Sequence, residues 1–210
     1  MCLKNKDKIN FYREQCISLL DIDLGVKTID DFCKKIDLFC KSETNRLTLE
    51  KYSQHYIDDY INVLKGDLFE IFAEIFFLAF ENDPEVGIKN YQIVSLVDDY
   101  GVDAIGKNVN GDDAVIQMKY RSNPMELIDY DSLGKTYSSG KLQHNIPLEK
   151  NDTIFLFTTG NGATDPCKKV FRKKLRIINR KIIEGKVDNN KSFWDFAEKK
   201  IGETFQKIDE

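Results

Sequence analysis

Apolar and polar residues recur along this 210-residue chain with two periods, one helical and one of strand type. The first third is helical. Thr28-Ile-Asp-Asp31 offers an N-cap for a helix carrying Phe32, Ile36 and Phe39 on one side. Thr48-Leu-Glu-Lys51 opens another, with Tyr52, Tyr56, Tyr60 and Leu64 recurring every four residues; that stripe is expected to pack into the core rather than form an aromatic binding surface. After Gly66, the segment from Asp67 to Phe80 is apolar almost all round, which predicts a buried helix. Glu70 and Glu74 stand out in it, because residues four apart share a face and a carboxylate on a buried helix is costly unless it meets a cation or donors. Two readings stay open: charge near the helix start or a pair with a lysine of the N-terminal segment, or a carboxylate turned toward a functional site. Asn82-Asp-Pro84 ends the helix.

The period then shortens. Tyr91 to Val97 reads as a strand, and Gly101 to Ile105 as its continuation or a neighbour. Asn110-Gly111 is a hairpin turn signal, followed by a strand from Ala114 to Tyr120. The polar stretch 121–150 has no clear period. Asn151 to Gly160 is a buried strand ending in small polar residues. Asp165-Pro166 starts a helix expected to run to about Glu184, and Ser192 to Phe205 reads as a final amphipathic helix with Phe193, Phe196, Ala197, Ile201 and Phe205 inward.

Composition narrows the function classes. A hydrophobic fraction of 41% predicts a globular core, and no 18-residue apolar run exists to span a membrane. The charged N-terminus lacks the apolar stretch of a signal peptide. Five cysteines form no C-x-x-C pair, the Cys33/Cys40 spacing suits a helix face better than zinc, and only two histidines are present. Reduced, packing cysteines in a cytoplasmic protein are expected. A net charge of −4 argues against a nucleic-acid coat, but not against an enzyme acting on nucleic acid, because site carboxylates offset local basic patches.

The chemistry concentrates in Asp99-Tyr-Gly-Val-Asp103 and Gln117-Met-Lys119. In a strand Gln117 and Lys119 share one face, expected to border a cleft, and Ile116, Met118 and Tyr120 face the core. Register decides whether Asp103 joins them. A two-residue loop at Asn110-Gly111 puts Asp103 opposite Met118, on the wrong face. A three-residue loop, Val109-Asn110-Gly111, pairs Asn108 with Asp112 and Asp103 with Gln117, and Gly111 suits the left-handed residue such loops use. Asp103 is then a hard ligand for Mg²⁺, with the Gln117 side-chain oxygen and the Met118 carbonyl completing part of the shell. Lys119 could assist an attacking water or stabilise phosphate charge, and Glu70 could add a second carboxylate. The alternative is that these residues form only the solvent face of an amphipathic hairpin.

Four pieces in order carry a resemblance: Gly66-x-x-Phe69-Glu70, Asp99-x-Gly101-Val102-Asp103, Gln117-Met-Lys119 and Phe157-Thr-Thr-Gly160. Together they resemble the PD-(D/E)XK nuclease superfamily, in its Mrr-like restriction endonuclease branch, with Q-x-K in place of (D/E)-x-K. The resemblance spans about Lys65 to Arg180. It implies an α/β fold with a central mixed β-sheet flanked by helices, a restriction-endonuclease-like core over residues 65–185. An N-terminal helical segment 1–64 and a C-terminal helix 186–210 would pack on it. It also implies Mg²⁺-dependent hydrolysis of phosphodiester bonds in DNA, with Asp103 and Glu70 on the metal, Gln117 at the second acidic position and Lys119 as the catalytic lysine; a homodimer follows by analogy. Two departures stand out: Val102 replaces the motif proline, and Gln117 is neutral. The basic segment from Cys167 to Lys181 is expected to expose Lys168, Lys169, Arg172, Lys173, Arg176 and Arg180 on a helix, for the DNA backbone or simply for solvent, and to bury Val170. Arg121 is the expected single phosphate contact beside the lysine. Alternatives to a restriction-type enzyme are a junction or repair nuclease, or an inactive nucleic-acid-binding module.

Overall fold

The structure, a computed structural model, describes residues 5–20, 25–94 and 101–206. Asp99 and Tyr100 of the strand-end motif lie outside the described residues, as do Ser95, Leu96 and Val97 of the first expected strand and the side chains of Ile201 and Phe205.

Three helices come first: α1 (Asn5–Leu20), α2 (Ile29–Leu49) and α3 (Gln54–Ala79). The Thr28 hydroxyl caps α2 by accepting from the Asp31 amide at 3.0 Å. No helix opens at Thr48. There α2 is still running, Lys51 breaks it at φ 65°, and Ser53 caps α3 by accepting from the Tyr56 amide. The 26-residue α3 passes straight through Gly66. Tyr52 and Tyr56 lie on the surface, 48% and 47% exposed and stacked on each other, whereas Tyr60, partly buried, packs against the core and Leu64 lies within it.

Strands β1 (Lys89–Ile93), β2 (Ala104–Lys107) and β3 (Asp113–Lys119) form an antiparallel meander. After the short strand β4 (Leu127–Ile128), helix α4 (Tyr130–Leu142) crosses back over the sheet, and β5 (Ile154–Thr158) pairs parallel with β3. Strand β6 (Gly162–Ala163) pairs with β4, and α5 (Asp165–Phe171) follows. The expected long basic helix stops at Phe171. Arg172 takes φ 47°, a single 3₁₀ turn covers Arg172–Lys174, and Leu175–Ile178 becomes β7, parallel to β5. The open ladder beside β5 overrides the helical reading, because a run with two isoleucines fits a sheet edge. Helices α6 (Arg180–Val187) and α7 (Lys191–Gln206) complete the chain. The result is a mixed five-stranded sheet in the order β1-β2-β3-β5-β7, flanked by helices.

Both faces of the sheet are covered, so β5 is buried along its whole length. On one face α1, α2, α3 and α7 enclose a phenylalanine-rich core in which Phe157 meets Phe69, Phe76 and Phe77 at ring distances of 5.0–5.2 Å. This core joins Phe32 of α2 to Trp194 of α7, and α3 runs through the 64/65 division. On the other face α4 and α5 cover Val115, Ile154 and Leu156; Val170 is 55% exposed, not buried. Among the described residues no helix is long and apolar enough to cross a membrane.

Candidate active site

The β2–β3 hairpin has the three-residue loop. Asn108 donates its amide to the Asp112 carbonyl, Gly111 donates to the Asn108 carbonyl, both at 2.9 Å, and Gly111 sits at φ 83°. The Asn108 side-chain oxygen accepts from the amides of Asn110 and Asp112, holding the turn from inside. Lys107 then pairs with Asp113 and Ala104 with Ile116, so the same register places Asp103 across from Gln117. The Asp103 amide still bonds to the Ile116 carbonyl at 3.1 Å.

At Asp103 the side chain takes over from the backbone ladder. Its Oδ2 accepts from the Met118 amide and from Gln117 Nε2, and the residue is 2% exposed. Gln117 is 1% exposed, and its Oε1 accepts from the Thr136 hydroxyl of α4 at 2.5 Å. Only this amide orientation works, since the reverse would aim an oxygen at a carboxylate. Gln117 therefore does not border a cleft, and its oxygen is committed to Thr136 rather than turned toward a metal. It links α4 to the acid. Thr136 carried no sequence signal: a threonine within a helix has many uses, and only the fold sets it opposite Gln117.

Strand geometry treats Met118 differently. The Ile116 carbonyl and Met118 amide both point toward β2, so the Met118 carbonyl points the same way, past the end of β2. There it borders a cleft of about 540 Å³ whose lining includes Glu70, Asp103, Lys119, Arg121 and Lys65. The two glutamates of α3 divide. Glu74 makes a two-pronged pair with Arg13 of α1, 2.9 Å to each oxygen, while Glu70 faces the cleft. The Tyr91 hydroxyl lies behind: burial first, then the carboxylates of Glu74, Glu70 and Asp103, push its pKa well above the usual phenol range. Among the described residues no hydrogen bond or ion pair holds the Lys119 ammonium.

The Thr-Thr-Gly motif after β5 fastens the strand end beyond Lys119. Thr158 Oγ1 donates to the Lys119 carbonyl at 2.7 Å, and Thr159 Oγ1 both accepts from the Arg121 amide and donates to its carbonyl. Gly160 is required because a Cβ there would sit 2.6 Å from the Glu126 carbonyl. Arg121 reaches the cleft already paired, its Nε 3.1 Å from Glu126.

The basic segment is elsewhere. Lys173 and Lys174 accept backbone bonds from Asp152 and Thr153, at the start of β5, whereas Lys119 pairs with Thr158 at its end. The five residues of β5 separate the two by about 16 Å. Arg176 is not on an open helix face: it sits in β7, bound to the Glu85 carbonyl and to Asp152. Lys168, Lys169, Arg172 and Lys173 are exposed at the far end of the sheet and on α5.

Besides Glu126, which Arg121 engages, the cleft offers hard oxygen donors, two carboxylates and a carbonyl, of the kind Mg²⁺ takes while keeping several waters. Among the described residues no group of three Asp, Glu, His or Cys side chains could hold a metal, so any ion here depends on Glu70, Asp103 and the Met118 carbonyl. Comparison with family models, curated proteins and solved structures finds no match to this chain.

Proposed function

We propose that the chain is a Mg²⁺-dependent DNA endonuclease of restriction type, hydrolysing phosphodiester bonds within DNA. One observation carries this reading: Glu70 from α3, Asp103 from β2's entry and Lys119 from the end of β3 line one cleft. The order of the pieces agrees with it: Glu70 on α3, Asp103 at the entry to β2, Gln117 and Lys119 on β3, and Thr158-Thr159-Gly160 at the end of β5 follow one another, on a mixed sheet flanked by helices.

Glu70, Asp103 and the Met118 carbonyl would hold the ion. When bound, Mg²⁺ supplies Lewis-acid polarisation of the phosphate and a more acidic water. The chain does the rest. Gln117 and the Met118 amide fix one oxygen of Asp103, which holds the carboxylate in place on the cleft lining. Gln117 acts as a positioning residue, and its neutrality leaves the site with two carboxylates rather than three. Lys119, tethered by its carbonyl to Thr158, brings a cation that no protein anion engages among the described residues; it is suited to stabilise phosphate charge or to take a proton from the attacking water. Arg121 and Glu126 form a solvent-facing pair that a phosphate can displace at low cost. DNA is the proposed partner, and two copies of the chain would cut both strands of a duplex.

The test is cleavage of linear, branched and modified DNA by purified protein with Mg²⁺, beside Lys119→Ala. The reading expects cleavage that disappears in the variant while the fold stays intact. Equal cleavage by both removes the assigned site, and no cleavage of any DNA leaves the fold as a binding module.

A further inference from the structure

A second concavity, of about 670 Å³, lies between α4 and α5 on the sheet face opposite α3. Its floor is Phe171, flanked by Tyr130 and Tyr137 with ring centroids 5.9 Å from Phe171 on each side. Tyr130 lies within 18° of parallel to Phe171 and is 45% exposed, so the stack ends in a ring open to solvent. Gly134 opens the wall: a Cβ there would meet only the Tyr130 ring, at 3.8 Å.

The rim is basic. Lys135 and Lys174 are on the lining itself, and Lys169, Arg172 and Lys173 adjoin its residues Val170, Phe171 and Lys174 in sequence; these three are exposed and form no ion pair among the described residues, although the chain as a whole carries −4. The acids nearby are largely answered. Glu149 is bound by Lys141 and Lys174, each at 2.5 Å, and Asp165 lies 3.9 Å from Lys168; Asp131 remains on the lining.

We infer that this groove binds an unpaired strand of nucleic acid, a base on the Tyr130–Phe171 stack and the adjoining phosphates on the basic rim. A row of rings beside a row of cations suits bases that are free to leave a duplex stack, because every base has a π-face and every linkage a charge. In a duplex the same rings would find only base edges and backbone. The site is separate from the cleft, and its occupation is read without metal, so it stands or falls independently of the nuclease reading.

The experiment is fluorescence anisotropy of a labelled oligothymidylate of about 12 nucleotides in EDTA, against a duplex of the same length. The single strand binds at least about tenfold more tightly, with a log–log salt slope near −2 from three cations at about −0.7 each. Lys169→Glu combined with Lys173→Glu flattens that slope and weakens binding at least tenfold. Gly134→Leu, which fills the groove on a helix that tolerates leucine well, weakens binding about tenfold and leaves the slope alone. Tyr130→Ser gives the same result without adding bulk, and thermal melting confirms that each variant is folded. Equal affinity for duplex, indifference to both groove variants, or displacement of the strand by equimolar thymidine monophosphate overturns the inference.

Discussion

Gln117→Glu converts a donor that touches Asp103 into a second carboxylate at the same place. In the parent, Nε2 donates to Asp103 Oδ2 inside a site that is 1–2% exposed. Losing a hydrogen bond to a charged group costs about 1.5–3 kcal/mol. Two like charges about 4 Å apart repel by about 4 kcal/mol at an effective dielectric near 20. Sharing one proton caps the sum, so the expected loss is about 3–5 kcal/mol near pH 8. The sign follows from linkage. The introduced carboxyl titrates higher folded than unfolded, so the folded state binds the extra proton, and the penalty grows as pH rises above about 4.3. Urea unfolding in EDTA, at about pH 5 and pH 8, measures it: the variant falls behind the parent mainly at the higher pH. On the proposed reading, Mg²⁺ restores more stability to the variant than to the parent. Parent-like stability of the variant at the higher pH in EDTA would refute the contact between Gln117 and Asp103, and with it the positioning role.

Three further outcomes are expected. Deleting Asn110 leaves a two-residue loop, turns Asp103 to the face of Met118 and abolishes cleavage while circular dichroism stays helical; persisting cleavage would show that register is irrelevant. Phe157→Ala removes a ring enclosed by Phe69, Phe76 and Phe77 and lowers unfolding free energy by about 3–5 kcal/mol, a claim that a loss below about 1 kcal/mol would sink. Hydrogen bonds from Lys141, then Lys174 and Tyr137, lower the Glu149 pKa from 4.5 to about 2, so its contribution is present above pH 4.5 and is lost as pH falls toward 2. Glu149→Gln should therefore flatten stability against pH in that window only, and slightly, because the cluster is solvent-exposed.

The hairpin was legible because its information is local. Asn110-Gly111 limits the loop to a few lengths, and the two-sided character of β3 then makes one register preferable. The identity of Glu70 as the cleft-facing glutamate was not, because choosing between it and Glu74 requires knowing where Arg13 lands. Two other errors share a cause. Leu175–Ile178 carries a helix-compatible basic pattern, and only β5 beside it makes a strand; Gln117 alternates like a solvent-facing residue, and only α4 above it makes it buried. Tyr52 and Tyr56 kept a helical spacing while lying outside the part of α3 that meets the core.

The double duty of the Asp103 carboxylate bears on how such chains lose function over time. Removing it would orphan the buried Met118 amide, so selection for mere persistence of the fold already protects it. On the proposed reading Lys119 has no such insurance: among the described residues nothing leans on its ammonium, and a lineage released from cleavage could discard it freely. Among descendants of a chain built this way, a retained aspartate would say little about surviving activity, and a retained lysine a great deal.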